Sequence, residues 1–105
     1  MFKILATAGV LALTASFGEV FGDLRIGDDY VKEAALELKC GDEVVKAKTD
    51  STGSYRLAAK ASGKCSISVT HEGHTASVDV VVFEKAQRYR LVLEKKGDTW
   101  ILRRV

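Results

Sequence analysis

The stretch Ala34-Ala35-Leu36-Glu37-Leu38-Lys39-Cys40 decides the fold class, because its residues alternate between two sides of an extended chain. One side carries Ala34, Leu36, Leu38 and Cys40, and the other carries Ala35, Glu37 and Lys39. This period of two is typical of a β-strand with one buried face. A helix over residues 30–39 is the alternative, since alanine, leucine, glutamate and lysine all favour helix.

The same alternation recurs along the rest of the chain, with turn residues between the segments. Turn signals stand at Gly41-Asp42, Asp50–Gly53, Glu72-Gly73 and Gly97-Asp98. The pattern predicts an all-β fold, a small Greek-key-type β-sandwich of about seven strands. The apolar positions that alternate are 24 and 26, 45 and 47, 55 to 59, 65 to 69, 76 to 82, 89 to 93, and 100 and 102.

Cys40 and Cys65 are the only two cysteines of the chain. Cys40 falls in register with Leu36 and Leu38, and Cys65 with Ile67, so both cysteines share the apolar side of their strands. If the two strands are neighbours, the cysteines form one buried disulfide that closes a loop and stabilises the fold by about 3 kcal/mol. Two buried free thiols are the alternative.

The first residues are typical of a signal peptide. Lys3 precedes a stretch over residues 4–17 without any charged residue, and small residues follow at Ser16 and Gly18. We expect residues 1–18 to be the signal peptide and residues 19–105 to form the domain, with Gly22 as the other cleavage position. The protein is then secreted or periplasmic, with no membrane span in the mature chain. An N-terminal helix or an uncleaved anchor is the alternative.

The chain has 105 residues and a formal net charge of +2, which suits one folded domain. A charge so close to neutral gives no general attraction to polyanions, so we expect no nucleic-acid partner.

Five segments carry a family resemblance: residues 34–38, the strand at Val45, Thr49–Leu57, Ser62–Val69 and Glu72–His74. On these segments, residues 23–83 resemble the carboxypeptidase regulatory-like domain, one of the transthyretin-like (prealbumin-like) β-sandwiches. The resemblance implies that Asp50, Gly53 and Tyr55 form a structural hairpin turn, and that the domain is a scaffold or interaction module without catalytic residues. The related hydrolase of urate breakdown has histidine and C-terminal tyrosine-serine signatures that this sequence does not contain.

His71 and His74 form the only histidine cluster and are the candidate metal ligands, with Glu72 as an oxygen donor between them. They flank a glycine turn, so a polar hairpin tip is the alternative. No cofactor is expected.

Arginines concentrate in the C-terminal third of the chain, and Arg88, Arg90, Arg103 and Arg104 are the candidate binding residues there. A basic stripe of this kind can meet an acidic partner. The alternative is the solvated face of the last strands, where charged residues discourage aggregation.

These features together predict an exported, non-enzymatic binding or structural module with an unidentified protein partner. Edge strands of a sandwich can pair with another strand, so a homodimer through edge strands is also predicted. Two other functions remain open: a secreted effector or toxin-like factor, and a carrier of a small molecule or metal that uses His71 and His74.

Overall fold

The computed structural model describes residues 18–105, and this part of the chain contains nine β-strands and no helix. No helix of this part is therefore long and apolar enough to span a membrane. The predicted signal peptide, residues 1–18, lies outside the described residues except for Gly18, which begins the first strand. The strands are β1 (Gly18–Ile26), β2 (Asp29–Tyr30), β3 (Ala35–Cys40), β4 (Glu43–Lys48), β5 (Ser54–Ala59), β6 (Gly63–His71), β7 (His74–Val82), β8 (Gln87–Lys96) and β9 (Thr99–Arg104).

The strands form two sheets. In the five-stranded sheet, β1 pairs in parallel with β8, and β8 pairs antiparallel with β9. On its other side, β1 pairs antiparallel with β5 through residues 18–23 and then with the short β2 through Arg25 and Ile26. The four-stranded sheet has the order β4-β3-β6-β7 and is antiparallel throughout. The predicted all-β sandwich is confirmed, with nine strands rather than about seven.

The core lies between the sheets and consists of the residues that the alternation assigns to one side. The strand predicted over residues 34–40 is confirmed, with Leu36 and Leu38 fully buried. The helix alternative for residues 30–39 is wrong, because β3 pairs with β4 on one side and β6 on the other. Other fully buried side chains are Val20, Leu24, Leu57, Ile67, Val69, Val80, Val82 and Leu91.

A disulfide joins Cys40 of β3 to Cys65 of β6. The neighbouring pair, Lys39 opposite Ser66, shows that the two cysteines stand opposite each other, with their Cα atoms 4.5 Å apart. Both cysteines are buried. The predicted buried bridge between neighbouring strands is therefore confirmed, and it fixes the register of β3 against β6.

Candidate functional site

A groove of about 550 Å³ lies on the outer face of the five-stranded sheet, where β5, β1 and β8 run side by side. It combines three cationic side chains, two carboxylates and two aromatic residues. The residues that line it come from these strands and from the end of β4 with the turn that follows: Phe21, Gly22, Asp23, Lys48, Asp50, Ser54, Tyr55, Arg56 and Arg88.

The first row of the groove crosses three strands. Phe21 of β1 stands opposite Arg56 of β5 on one side and Arg88 of β8 on the other. All three point away from the core, because the neighbouring Val20 is fully buried and successive strand residues alternate. The Arg56 guanidinium lies 5.7 Å from the centre of the Phe21 ring, and its Nη1 lies 3.4 Å from a carboxylate oxygen of Glu19. The Phe21 ring thus contacts the Arg56 guanidinium, and Arg88 is the strand neighbour of Phe21 on the other side.

The second row contains Ser54, Asp23 and Arg90. The Arg90 Nε lies 3.9 Å from Asp23 Oδ2. The other oxygen, Asp23 Oδ1, is buried and has no hydrogen-bond partner among the described residues. Arg25 Nε, two residues further along the same face of β1, is also buried and has no hydrogen-bond partner among the described residues. Buried polar atoms without partners are uncommon in proteins, and these two lie at and beside the groove.

The rim of the groove is a turn held by Asp50. Asp50 Oδ1 accepts hydrogen bonds from the Thr52 hydroxyl at 2.8 Å and from the backbone N–H groups of Thr52 and Ser54 at 2.9 and 3.0 Å. These bonds, that of the Thr52 hydroxyl first, lower the pKa of Asp50 below its usual range. Gly53 has a φ of +75° and leaves no room for a Cβ beside Tyr30. Asp50 Oδ1 therefore accepts its hydrogen bonds from within the turn.

The floor of the groove is Gly22, which stands between Tyr55 of β5 and Tyr89 of β8. A Cβ on Gly22 would overlap the Tyr89 carbonyl oxygen, to which the Tyr55 hydroxyl donates a hydrogen bond of 2.8 Å. Burial, followed by the nearby Asp23 carboxylate, raises the pKa of Tyr55 far above its usual range. Tyr55 is therefore a neutral hydrogen-bond donor that holds β5 against β8 across β1.

Tyr89 connects the two sheets. Its hydroxyl donates to the Val81 carbonyl at 2.9 Å and accepts from the Val81 N–H at 3.1 Å. Val81 belongs to β7, an edge strand of the four-stranded sheet, so the hydroxyl takes up backbone groups that another strand would otherwise bind.

The four arginines selected from the sequence do not form one cluster. Arg88 lines the groove, Arg90 contacts Asp23, and Arg103 donates to Glu94 Oε2 at 2.9 Å. Arg104 has the opposite orientation, with its guanidinium 5.7 Å from the centre of the Tyr89 ring. The alternation of β9 separates Arg103 from Arg104, because adjacent strand residues point to opposite faces.

The sequence reasoning missed Phe21, Lys48 and Arg56 as members of a site. Phe21 and Arg56 are far apart in the chain and meet only through the pairing of β1 with β5. The one signal available was that both alternate with buried residues and so belong to outer faces.

His71 and His74 face each other as the last pair of the β6–β7 hairpin. Both rings lie beside Trp100 of β9, with centroid separations of 6.4 and 6.3 Å. Trp100 is half-buried and packs against the core. The residues described contain no group of three or more histidine, cysteine, aspartate or glutamate side chains positioned to hold a metal ion.

Comparison with known proteins identifies the fold. The 5-hydroxyisourate hydrolase of Klebsiella pneumoniae matches with a TM-score of 0.62 at 11% identity, over 86% of this chain and 94% of the hydrolase. A 9R-lipoxygenase from Cyanothece PCC8801 matches with a TM-score of 0.48 at 10% identity, over 92% of this chain and 20% of the lipoxygenase. No family sequence model matches the chain, and no curated protein matches it by sequence. The first match confirms the predicted transthyretin-like fold.

One prediction requires correction. The domain was expected to be non-enzymatic, because the family it resembles has no catalytic residues. That expectation is wrong, because the same fold is found in 5-hydroxyisourate hydrolase, which is an enzyme. At 11% identity the likeness identifies the fold and not a reaction.

Proposed function

We propose that this domain is an exported binding module that holds an extended, acidic segment of a protein partner in the groove of the five-stranded sheet. The observation that carries the proposal is the row of Arg56, Phe21 and Arg88, in which an aromatic residue stands between two arginines on neighbouring strands. Arginine and aromatic side chains dominate the binding energy of protein interfaces.

The charges of the groove favour an acidic partner. Among residues 18–105, Lys48 and Arg88 have no ion-pair partner, and both line the groove. Arg56 shares one carboxylate of Glu19, but its side chain is 68% exposed and accessible to another anion. Asp50 stays ionised, because the hydrogen bonds of the turn stabilise its charge, and the lining then has three cations against two carboxylates. The accessible charge of the groove is therefore mainly positive.

The other polar groups favour a peptide over a polyanion. The Asp23 side chain is 14% exposed, and the accessible part of its carboxylate can accept a backbone N–H of a bound segment. Phe21 offers an apolar surface to a side chain. The backbone of a nucleic acid has no N–H donor for Asp23, whereas a peptide backbone has one at nearly every residue. A peptide that carries both amide donors and acidic side chains matches the groups present.

Export rests on the predicted signal peptide and is consistent with the disulfide, which persists in oxidising compartments. Cleavage after Gly18 retains Val20 in β1, whereas cleavage after Gly22 removes this fully buried side chain. Intact mass of the protein recovered from the periplasm or medium tests export. We expect a chain that begins at Glu19, and retention of residues 1–18 contradicts the proposal.

A charge reversal in the groove tests the binding function. We expect Arg88→Glu to weaken binding of a fluorescein-labelled peptide of alternating glutamate and valine by roughly tenfold, because a cation is replaced by a repelling anion. Fluorescence anisotropy at two salt concentrations measures the affinity. Lys39→Glu is the matched control, since it makes the same charge change at an exposed position of the four-stranded sheet.

The control variant is expected to bind as the wild-type domain does. Equal loss in both variants would mean that net charge alone attracts the peptide, and the groove would then not be the site. No measurable binding by the wild-type domain overturns the proposal as well.

A further inference from the structure

A second site lies at the opposite end of β8 from the groove. Trp100 pairs with Lys95, seven residues along β8 from Arg88, a separation of about 23 Å at the rise of an extended strand. The chain contains two histidines and one tryptophan, and all three meet at this point. None of them contributes to the groove.

The hairpin turn positions the two imidazoles. Glu72 and Gly73 have φ values of +51° and +80°, as the two central residues of a type I′ turn require. His71 and His74 are therefore directly opposite, and the side chains of such a pair leave the sheet on the same face. They share this face with Val69 and Ala76, two pairs earlier, which are buried in the core.

Trp100 closes one side of the histidine pair. The His71 and Trp100 rings meet edge-on at an interplanar angle of 87°, and the His74 ring is tilted by 44°. The His71 side chain is 24% exposed, so it is partly desolvated and still reachable from solvent. A carboxylate oxygen of Glu72 lies 3.8 Å from His71 Nε2 and adds negative charge beside the pair.

We propose that His71 and His74 bind one transition-metal ion of the class that prefers imidazole, with copper(II) as the strongest binder. Imidazole nitrogen is a favoured ligand of copper, nickel and zinc, and copper(II) stands highest in the affinity order of these divalent ions. The protein supplies two imidazole ligands, and water completes the coordination shell. Such an open site exchanges its metal, which suits transfer of an ion rather than its permanent retention.

The single tryptophan makes the test direct. A copper(II) ion held by both imidazoles lies next to the indole of Trp100, and we expect it to quench the fluorescence of this residue with one equivalent bound at micromolar concentration. The titration uses the oxidised domain and copper(II) with glycine as competitor. Electron paramagnetic resonance of the same sample is expected to show nitrogen coupling from imidazole.

Two variants distinguish copper binding by the two histidines from copper binding by other groups of the chain. His71→Gln/His74→Gln is expected to abolish both the quenching and the nitrogen coupling, since it removes every imidazole of the chain. Asp98→Asn is the matched control, because it removes a carboxylate two residues from Trp100 and leaves both histidines. The control is expected to retain quenching at the wild-type copper concentration. The thermal midpoint without metal verifies that each variant is folded.

Two results overturn the proposal. One is the absence of quenching in the folded wild-type domain, and the other is quenching of equal strength in the double histidine variant. Because Arg88→Glu leaves both histidines in place, loss of peptide binding in that variant and loss of copper binding here are independent outcomes.

Discussion

The outer faces of the two sheets have the same alternating pattern and both carry cross-strand ion pairs, but they differ in one row of residues. On the four-stranded sheet, each polar side chain named below has a partner on the neighbouring strand: Ser68–Ser77 at 2.8 Å, Thr70–Thr75 at 3.1 Å, Lys64–Asp79 at 3.9 Å and Lys46–Glu37 at 4.0 Å. On the five-stranded sheet, the row of Arg56, Phe21 and Arg88 places an aromatic residue between two arginines and lines a groove.

This difference teaches that alternation alone does not identify a binding face. Where cross-strand neighbours complement each other, as paired hydroxyls and opposite charges do, the polar groups of the face bind one another. Neighbours that do not complement each other leave groups available to a partner. The distinction lies in the strand register and not in the composition of any single strand.

The largest effect is expected from removal of the disulfide that joins β3 to β6 in the four-stranded sheet. Cys40→Ala/Cys65→Ala is expected to lower the free energy of unfolding by about 3 kcal/mol, because a bridge over a sequence separation of 25 residues no longer restricts the unfolded chain. Urea denaturation with and without reductant measures it. Reduced wild-type protein serves as the control and is expected to show a similar loss. Equal stability of variant and oxidised wild type would contradict the role of the bridge.

A smaller effect is expected at Gly22, where the backbone of β1 lies close to the Tyr89 carbonyl of β8. Gly22→Ala is expected to cost about 2 kcal/mol, because the new Cβ displaces the Tyr89 carbonyl and strains its hydrogen bond from Tyr55. Urea denaturation again gives the free energy. Gly41→Ala is the control, since a Cβ there meets nothing within 4 Å and only its positive φ opposes the change. A greater loss in Gly41→Ala than in Gly22→Ala would refute this account.

The smallest effect concerns two carboxylates that accept backbone N–H groups, Glu43 at the start of β4 and Asp50 in the turn between β4 and β5. Glu43 accepts the N–H groups of Lys60 and Ala61, and these bonds lower its pKa as the turn lowers that of Asp50. A folded-state pKa below the unfolded value gives stability that is present above the unfolded pKa. It is lost as pH falls through the folded pKa, so the urea midpoint is expected to fall below about pH 4.

Glu43→Gln/Asp50→Asn is expected to flatten this dependence, because neither amide binds a proton in that range. Urea midpoints across the acidic range compare the variant with the wild-type domain. An identical acid dependence in both proteins would assign the effect to other carboxylates.

The candidate groove was only partly predictable from the sequence. Arg88 and the Asp50 turn were identified, because a local concentration of arginine and a turn signal are visible in short windows. Phe21 and Arg56 were not, because their meeting depends on β1 pairing with β5. Positions 24 and 26 were predicted to lie on a strand, but the contact of the adjacent Asp23 with Arg90 comes from the parallel pairing of β1 with β8, which no local signal indicates.

The sequence by itself determined the strand class, the buried side of each strand and the inward position of both cysteines. These properties follow from the alternation of side chains along an extended backbone, which is local geometry combined with the preference of apolar groups for burial. Only the tertiary structure decided which strands are neighbours. Strand partners are chosen by contacts distant in sequence, and for that reason the groove, the tyrosine connection between the sheets and the histidine–tryptophan cluster became visible only in the folded chain.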